Sequence, residues 1–426
     1  MRNYTLLLLF GAIVLISACE KKEILPGKRE EIFTTINKNI NKTIASLKIN
    51  ATPPSSIDSC VDVAGNKQHS DINHKMLATP KTIWKTKIGR ESIHSDPIYI
   101  DGKIYAVDAL GILNCVSAKD GRIIWKKEIA PQPDEAEFSG GLTAANGVIF
   151  ISTNTGHLIA INSKTQKEIW NKDLKYPLKG SPLFVNDRII ITTIDNQTLA
   201  IDAKNGTIIW SNTINNEQTT MAKFGTPAVY GNDVICAYSS GDVASFSLSS
   251  GSDNWSEVLF SSNVSESGFV ISHIAASPVV YKNYVLIATS ESKMILLDAT
   301  SGIRVWEQDL GTIHTPIINN NWIFVLTSDN KLVCLSLNDG AIKWQTNITD
   351  EFNEKKGKEA IWTGPLMING KLVIFSDHGH KATFDISTGK TISSEVVDRL
   401  LFVRTPMIVN KIMYFITDYA ELYAVG

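Results

Sequence analysis

The chain predicts an all-β fold: an eight-bladed β-propeller of four-stranded antiparallel blades, its ring closed by N- and C-terminal strands. Three observations predict it. A unit of roughly 40 residues returns all along the chain, the signature of a repeat architecture. Its clearest copy is Ala200-Ile201-Asp202-Ala203-Lys204-Asn205-Gly206-Thr207-Ile208-Ile209-Trp210, and lines of the same shape end at Trp125, Trp170, Trp255, Trp306 and Trp344, and in a decayed form at Ser393. The two ends of the repeat region are fragments of one further unit: Thr82-Ile83-Trp84-Lys85 is a tryptophan strand without companions, and Pro406 to Val425 carries three strands with no tryptophan strand after them. Joining them closes a ring and removes the edges that an open array would expose.

The composition of the unit has a physical reason. An alternating run ends in an acid or small polar residue, a turn with glycine follows, and a β-branched pair closed by Trp completes two antiparallel strands. Glycine supplies the positive φ of the turn without a Cβ penalty. Asp202, Asp298 and Asp385 can accept backbone N–H groups across their turns, and Ser117, Asn162, Ser247 and Ser336 hold the same place in other copies. Each indole offers a flat apolar surface and one donor to the next repeat. Trp84, Trp125, Trp170, Trp210, Trp255, Trp306 and Trp344 are therefore the expected blade-docking residues.

The 426 residues carry a formal charge of −2, which gives no electrostatic reason to expect nucleic acid as a partner. At the start, Arg2 precedes an apolar run from Leu6 to Ile16 that is too short to span a bilayer comfortably and ends in Leu15-Ile16-Ser17-Ala18-Cys19. Small residues before a cysteine at that place resemble a bacterial lipobox, so residues 1–18 are expected to be a lipoprotein signal peptide and Cys19 the lipidation site. Several acyl chains on one residue anchor a protein stably, since each buried CH₂ contributes roughly 0.8 kcal/mol. Glu20, where an Asp would favour inner-membrane retention, is consistent with an outer-membrane address.

Residues 19–78 are rich in Lys, Glu and Asn with few apolar side chains, and read as a lipidated flexible tether. The propeller is expected over 79–426. Seven of its blades open on a residue followed by proline, as in Asp96-Pro97, Ser181-Pro182, Thr226-Pro227, Ser277-Pro278, Thr315-Pro316, Gly364-Pro365 and Thr405-Pro406, whereas the second opens at Gly141-Leu142. Proline is tolerated at the first residue of an edge strand, and the innermost strand of a blade is such an edge.

Connections between blades are long at 131–137, 215–221, 261–272 and 350–360. They emerge on the same face as the turns between second and third strands, and insertions gathered on one face mark the binding face. Those turns carry Asp108, Asp195, Asp242, Glu291, Asp329, Asp377 and Asp418, so an acidic rim is expected there, against the plain reading that acids are common in turns. Cys60, Cys115, Cys236 and Cys334 suggest neither a metal site nor a disulfide framework, and His378-Gly379-His380 reads as a surface turn. No catalytic, cofactor-binding or metal-ligating set is expected, and no Gly-x-Ser-x-Gly elbow is present.

The pattern Ala-x-Asp-x-x-x-Gly-x-x-x-Trp, complete at Ala200, Asp202, Gly206 and Trp210 and nearly so at Asp298, Gly302 and Trp306, is similar to the tryptophan-docking repeat of quinoprotein (PQQ) propellers. With the lipobox and Leu25-Pro26-Gly27-Lys28-Arg29, the chain resembles the BamB-like lipoproteins of the outer-membrane β-barrel assembly (BAM) machinery. The resemblance implies a non-enzymatic scaffold at the periplasmic face of the outer membrane. Its partners would be the POTRA domains of BamA, the other BAM lipoproteins and unfolded β-barrel precursors, the last bound in part through exposed strand edges. Aligned on Pro227 and Pro278, the family's partner contacts fall at 219–223 and 273–275, which points to Met221, Lys223 and His273. The motifs differ there, with Thr219-Thr220-Met221-Ala222 and His273-Ile274-Ala275 in place of Leu-x-Leu-Arg and Asp-x-Asp. The alternative is a periplasmic PQQ-dependent dehydrogenase. Those enzymes resemble one another in an adjacent Cys-Cys disulfide, a calcium site and a catalytic Asp, and no two cysteines are adjacent here.

Overall fold

The computed structural model describes residues 40–60, 66–70, 72–90, 95–129, 140–178, 180–214, 225–238, 240–259, 274–290, 292–352, 360–397 and 404–426. Cys19 and the expected signal peptide lie outside them. The described residues belong to one compact unit, Asn39–Gly426. They form eight four-stranded antiparallel sheets. Blades 1 to 7 span 98–128, 140–173, 183–213, 228–258, 279–308, 317–347 and 362–396, and blade 8 joins 407–425 to Thr82–Lys87. The ring closes as expected: Thr82 pairs with Val425 and Lys87 with Glu421, and Lys81 and Gly426 exchange two backbone hydrogen bonds of 3.0 Å.

Burial follows position in the blade. The second and third strands, such as Arg188–Thr192 and Gln197–Asp202, are buried on both faces because a neighbouring blade packs on each, and so they read as continuous apolar runs. The outer strands alternate, as in Ile123–Glu128. In all eight blades the third and fourth strands slip register just before the docking position: Ala200 pairs with Trp210, but Ile201 pairs with Ile208. Such a bulge re-aims a side chain. Here it turns the indole toward the next blade.

There the indole N–H donates to a backbone carbonyl beyond the neighbour's third strand: Trp84 to Ala118 O (3.0 Å), Trp170 to Ala203 O (3.0 Å), Trp210 to Leu248 O (3.1 Å), Trp255 to Ala299 O (2.9 Å), Trp306 to Leu337 O (2.8 Å) and Trp344 to Ile386 O (2.9 Å). The turn glycine lies flat against the same ring. A Cβ on Gly251 would stand 2.5 Å from Trp210, and one on Gly206 2.9 Å from Trp170. In blade 2 the corresponding turn position is Gln166, with φ 61°, and Trp125, its ring 5.9 Å from Tyr105 of its own blade, packs against the apolar core that blades 1 and 2 share. Ser393 replaces tryptophan for a reason visible in the ring. The next blade has no continuous third-to-fourth turn to receive an indole, since Lys81 and Gly426 meet where it would be.

At the blade openings, hydroxyls link neighbours around the axis. Thr226 N donates to Ser277 Oγ (3.0 Å), Ser277 N to Thr315 Oγ1 (3.3 Å), and Thr363 Oγ1 and Thr405 Oγ1 lie 2.9 Å apart. Blade 2 opens on Gly141 because a Cβ there would meet Ser181 Cα at 2.3 Å.

The expected flexible tether through residue 78 requires correction. From residue 40 onward its described parts are bound to the ring. The one-turn helix Lys42–Ala45 lies against the outer strand of blade 6: Asn41 N donates to Ile342 O (2.8 Å), and Lys343 Nζ donates to Ile44 O (2.9 Å) and Ala45 O (2.8 Å), a cation at a helix C-terminus. Ile49 then enters the apolar core between blades 6 and 7, and the described residues 52–60, 66–70 and 72–76 lie along the ends of the innermost strands. The segment needs no core of its own. It supplies partners to backbone groups at inner edges that would otherwise be unpaired.

Candidate partner-binding face

Two faces result. One carries the tight first-to-second and third-to-fourth turns and the bound N-terminal segment. The other carries the second-to-third turns and the connections between blades. The acids expected to rim the second face are largely consumed by their own turns. Asp108 is buried, its Oδ1 accepts from Leu110 N (3.1 Å) and Ile112 N (2.9 Å), and desolvation pushes its carboxyl above the usual range. Asp242 is buried and accepts from Ser240 Oγ (2.7 Å), Asp195 accepts from Thr193 Oγ1, and Asp377 Oδ1 accepts from Ile361 N (2.9 Å). Asp329 is exposed and accepts from Thr327 Oγ1 and Lys331 Nζ, both at 2.5 Å. Asp418 is exposed, and Glu291 lies outside the described residues.

Apolar groups stand where an acidic rim was expected. Leu110, Tyr176, Val258, Ile313, Ile361, Val396 and Tyr419 are all exposed at second-to-third turns or at strand ends leading into connections. Ile361 and Val396 on blade 7 are 65% and 66% exposed, too much for a folding role. Tyr419 of blade 8 and Leu110 of blade 1 continue the arc across a tightly packed seam. A Cβ on Gly89 would lie 2.9 Å from Asp108 Cβ and 3.3 Å from Ala420 Cβ, Lys87 Nζ donates to Tyr419 O, and Arg404 pairs with Asp96 at 3.5 Å. Behind Ile361, Phe352, Trp362 and His380 form an aromatic cluster, with Phe352 and Trp362 ring centroids 5.1 Å apart. The sequence held a signal for two of these: Leu110 and Tyr419 are large apolar residues inside turns otherwise built from Asp, Gly and Ala.

Met221, Lys223 and His273 lie outside the described residues. The described ends of their two connections meet: a Cβ on Gly225 would stand 2.6 Å from Ala276 O. Ile274 and Ala275, which the alignment placed beside His273 in the contact region, are buried and serve packing. Cys60, Cys115, Cys236 and Cys334 are reduced and buried, and burial pushes the Cys236 thiol up to about 12. Among the described residues no three His, Cys, Asp or Glu side chains gather as a metal site.

Comparison with known proteins fits this architecture. A BamB of Yersinia pestis is 19% identical over 366 residues, covering 81% of this chain and 88% of its own, and an uncharacterized protein of Rickettsia conorii is 25% identical over 398 residues, covering 89% and 92%. The crystal structure of BamB from Moraxella catarrhalis superposes with a TM-score of 0.69 at 16% identity over 82% of this chain and 100% of its own. A quinohemoprotein alcohol dehydrogenase of Pseudomonas putida has the same fold, with a TM-score of 0.67 at 12% identity over 88% of this chain and 80% of its own. The family model described as outer membrane protein assembly factor BamB matches residues 109–346, more than half of the chain, and the chain belongs to that family.

Proposed function

We propose that this protein is a non-enzymatic scaffold of the outer-membrane β-barrel assembly complex, held by lipid on Cys19 at the periplasmic face of the outer membrane. It binds BamA through POTRA domains, sits with the other BAM lipoproteins, and helps deliver unfolded barrel precursors. The observation that carries this reading is the family match over 109–346. The exposed apolar arc of Ile361, Val396, Tyr419 and Leu110 supports it, since apolar groups gathered on one face mark protein interaction sites.

In this reading the partner meets the connection face, with Met221, Lys223 and His273 contributing from connections on that side. Precursor segments add to outer blade edges. The strand Ile342–Asn347 offers a precedent, because Asn41 already donates to its Ile342 carbonyl in cis. The dehydrogenase alternative shares the fold, and fold alone does not decide function. It lacks support in the sequence, where none of the five cysteines is adjacent to another.

The testing experiment is charge reversal at Lys223 beside Tyr419→Asp, in the full lipidated chain, with recovery of BamA as the readout. Loss on both variants supports the connection face as the interface. Unchanged recovery on both removes that assignment.

A further inference from the structure

The described residues 52–60, 66–70 and 72–77 are attached to the ring mainly by backbone hydrogen bonds to five blades. Tyr99 N of blade 1 donates to Cys60 O (2.7 Å) and Cys60 N returns a bond to Tyr99 O (2.9 Å). Val229 N of blade 4 donates to Lys67 O (3.0 Å), Val280 N of blade 5 to Gln68 O (2.8 Å), Asn369 N of blade 7 to His74 O (2.9 Å) and Asn410 N of blade 8 to Ile57 O (3.0 Å). Blade 6 holds the segment by side chain, with Asn319 Nδ2 donating to Thr52 Oγ1 (2.7 Å). The segment braces itself as well, since Ser55 N donates to Asn73 O and Lys75 N to Ser55 O, each at 2.8 Å.

Its exit from the ring coincides with the one seam that lacks a docking tryptophan. Asn369 clamps the Met76 backbone, Oδ1 accepting from Met76 N (3.1 Å) and Nδ2 donating to Met76 O (3.0 Å). Met76 thereby reaches the apolar cluster of Val373, Phe375, Ile408, Met413 and Phe415 between blades 7 and 8. Few large apolar side chains of the segment are buried, and His69, Ser70, Asn73 and His74 are among its buried residues. Cys60 enters the cluster between blades 8 and 1, with Ile57 packed beside it. A segment held by edge hydrogen bonds and these few apolar contacts is separable from blades held by extensive cores.

We propose that these residues are a detachable strap. It closes the turn-side mouth of the ring, seals with Met76 the seam that Ser393 leaves without an indole, and opens as one unit while the blades stay folded. In the open form, inner edges of five blades present unpaired backbone groups that accept an extended polypeptide. The inference is independent of the partner reading above.

The test is hydrogen exchange on the full chain, resolved to single amides. The amides of Tyr99, Val229, Val280, Asn369 and Asn410 sit in five blades, yet the strap makes them one group. They exchange with a common opening constant, at least tenfold above that of strand amides such as Ile190 and Leu286. Asn369→Gly, which tolerates the φ of 49° at this position, removes the clamp and raises all five together. Thr52→Val, at the far end of the strap, does the same. In parallel, the Cys60 thiol is alkylated in the strap phase, ahead of Cys115, Cys236 and Cys334. The proposal is overturned if each amide follows its own blade, if Asn369→Gly speeds exchange only near blade 7, or if the four thiols react together.

Discussion

Gly389 lies flat against the indole of Trp344: a Cβ added to the glycine would stand 2.4 Å from Cε3, and its φ is 70°. The same pairing recurs between Gly251 and Trp210, where the indole also donates to Leu248 O. The repeat thus links two residues in different blades. Glycine is required once by the turn and again by the ring of the preceding blade.

Gly389→Ala is therefore expected to cost more than the roughly 1–2 kcal/mol of a left-handed alanine, because the backbone or the indole must also move. Trp210→Ala, which empties the docking site from the other side, should cost about 3–5 kcal/mol, as truncation of buried aromatic residues does. Denaturant unfolding of both variants checks this. A loss below about 1 kcal/mol for Trp210→Ala, the scatter of surface changes, contradicts docking as a stabilising device.

The interface between blades 1 and 2 yields the opposite sign. Gln166 holds a φ of 61° in the place taken by glycine elsewhere, opposite Trp125. Gln166→Gly should relieve that backbone and stabilise by about 0.5–1 kcal/mol, net of the greater flexibility of glycine when unfolded. An increase in denaturation midpoint at constant slope is the expected result. A decrease means that the Gln166 side chain contributes more than its backbone costs.

His74, buried in the strap, has its pKa lowered by desolvation from 6.5 to about 4. The unfolded chain then takes up a proton that the folded chain resists. The stability tied to this histidine is complete above pH 6.5 and falls as pH drops toward 4, by up to roughly 3 kcal/mol. Comparing unfolding at pH 7.5 and 4.5 for the wild type and His74→Gln isolates it: the variant should lose less on acidification. Equal losses would assign the acid sensitivity to other groups.

Blade number, ring closure and the turn's need for glycine were legible in the sequence, because a periodic pattern repeats each signal many times; that the same glycine must also clear the indole of the preceding blade was not. The strap was not legible. Residues 52–77 have no periodicity and few apolar side chains, and what holds the described ones is mainly the backbone of strands far away in sequence. The acidic rim misled for a related reason. Asp108 and Asp242 mark turns, and the turn itself consumes the carboxylate, while Leu110 and Tyr419, single apolar residues inside such turns, carry no repeated signal. The Ser or Thr that precedes five of the seven blade-opening prolines reads as part of a strand opening, yet Ser277 and Thr315 also link adjacent blades.

The most direct measurement of the central claim is purification of the tagged, lipidated full chain from detergent-solubilised membranes, with mass spectrometry of what accompanies it. Recovery of BamA and its companion lipoproteins is expected, reduced when Leu110 and Tyr419 are both changed to Asp. Purification of the chain without them, together with dye reduction on addition of PQQ and calcium, would contradict it.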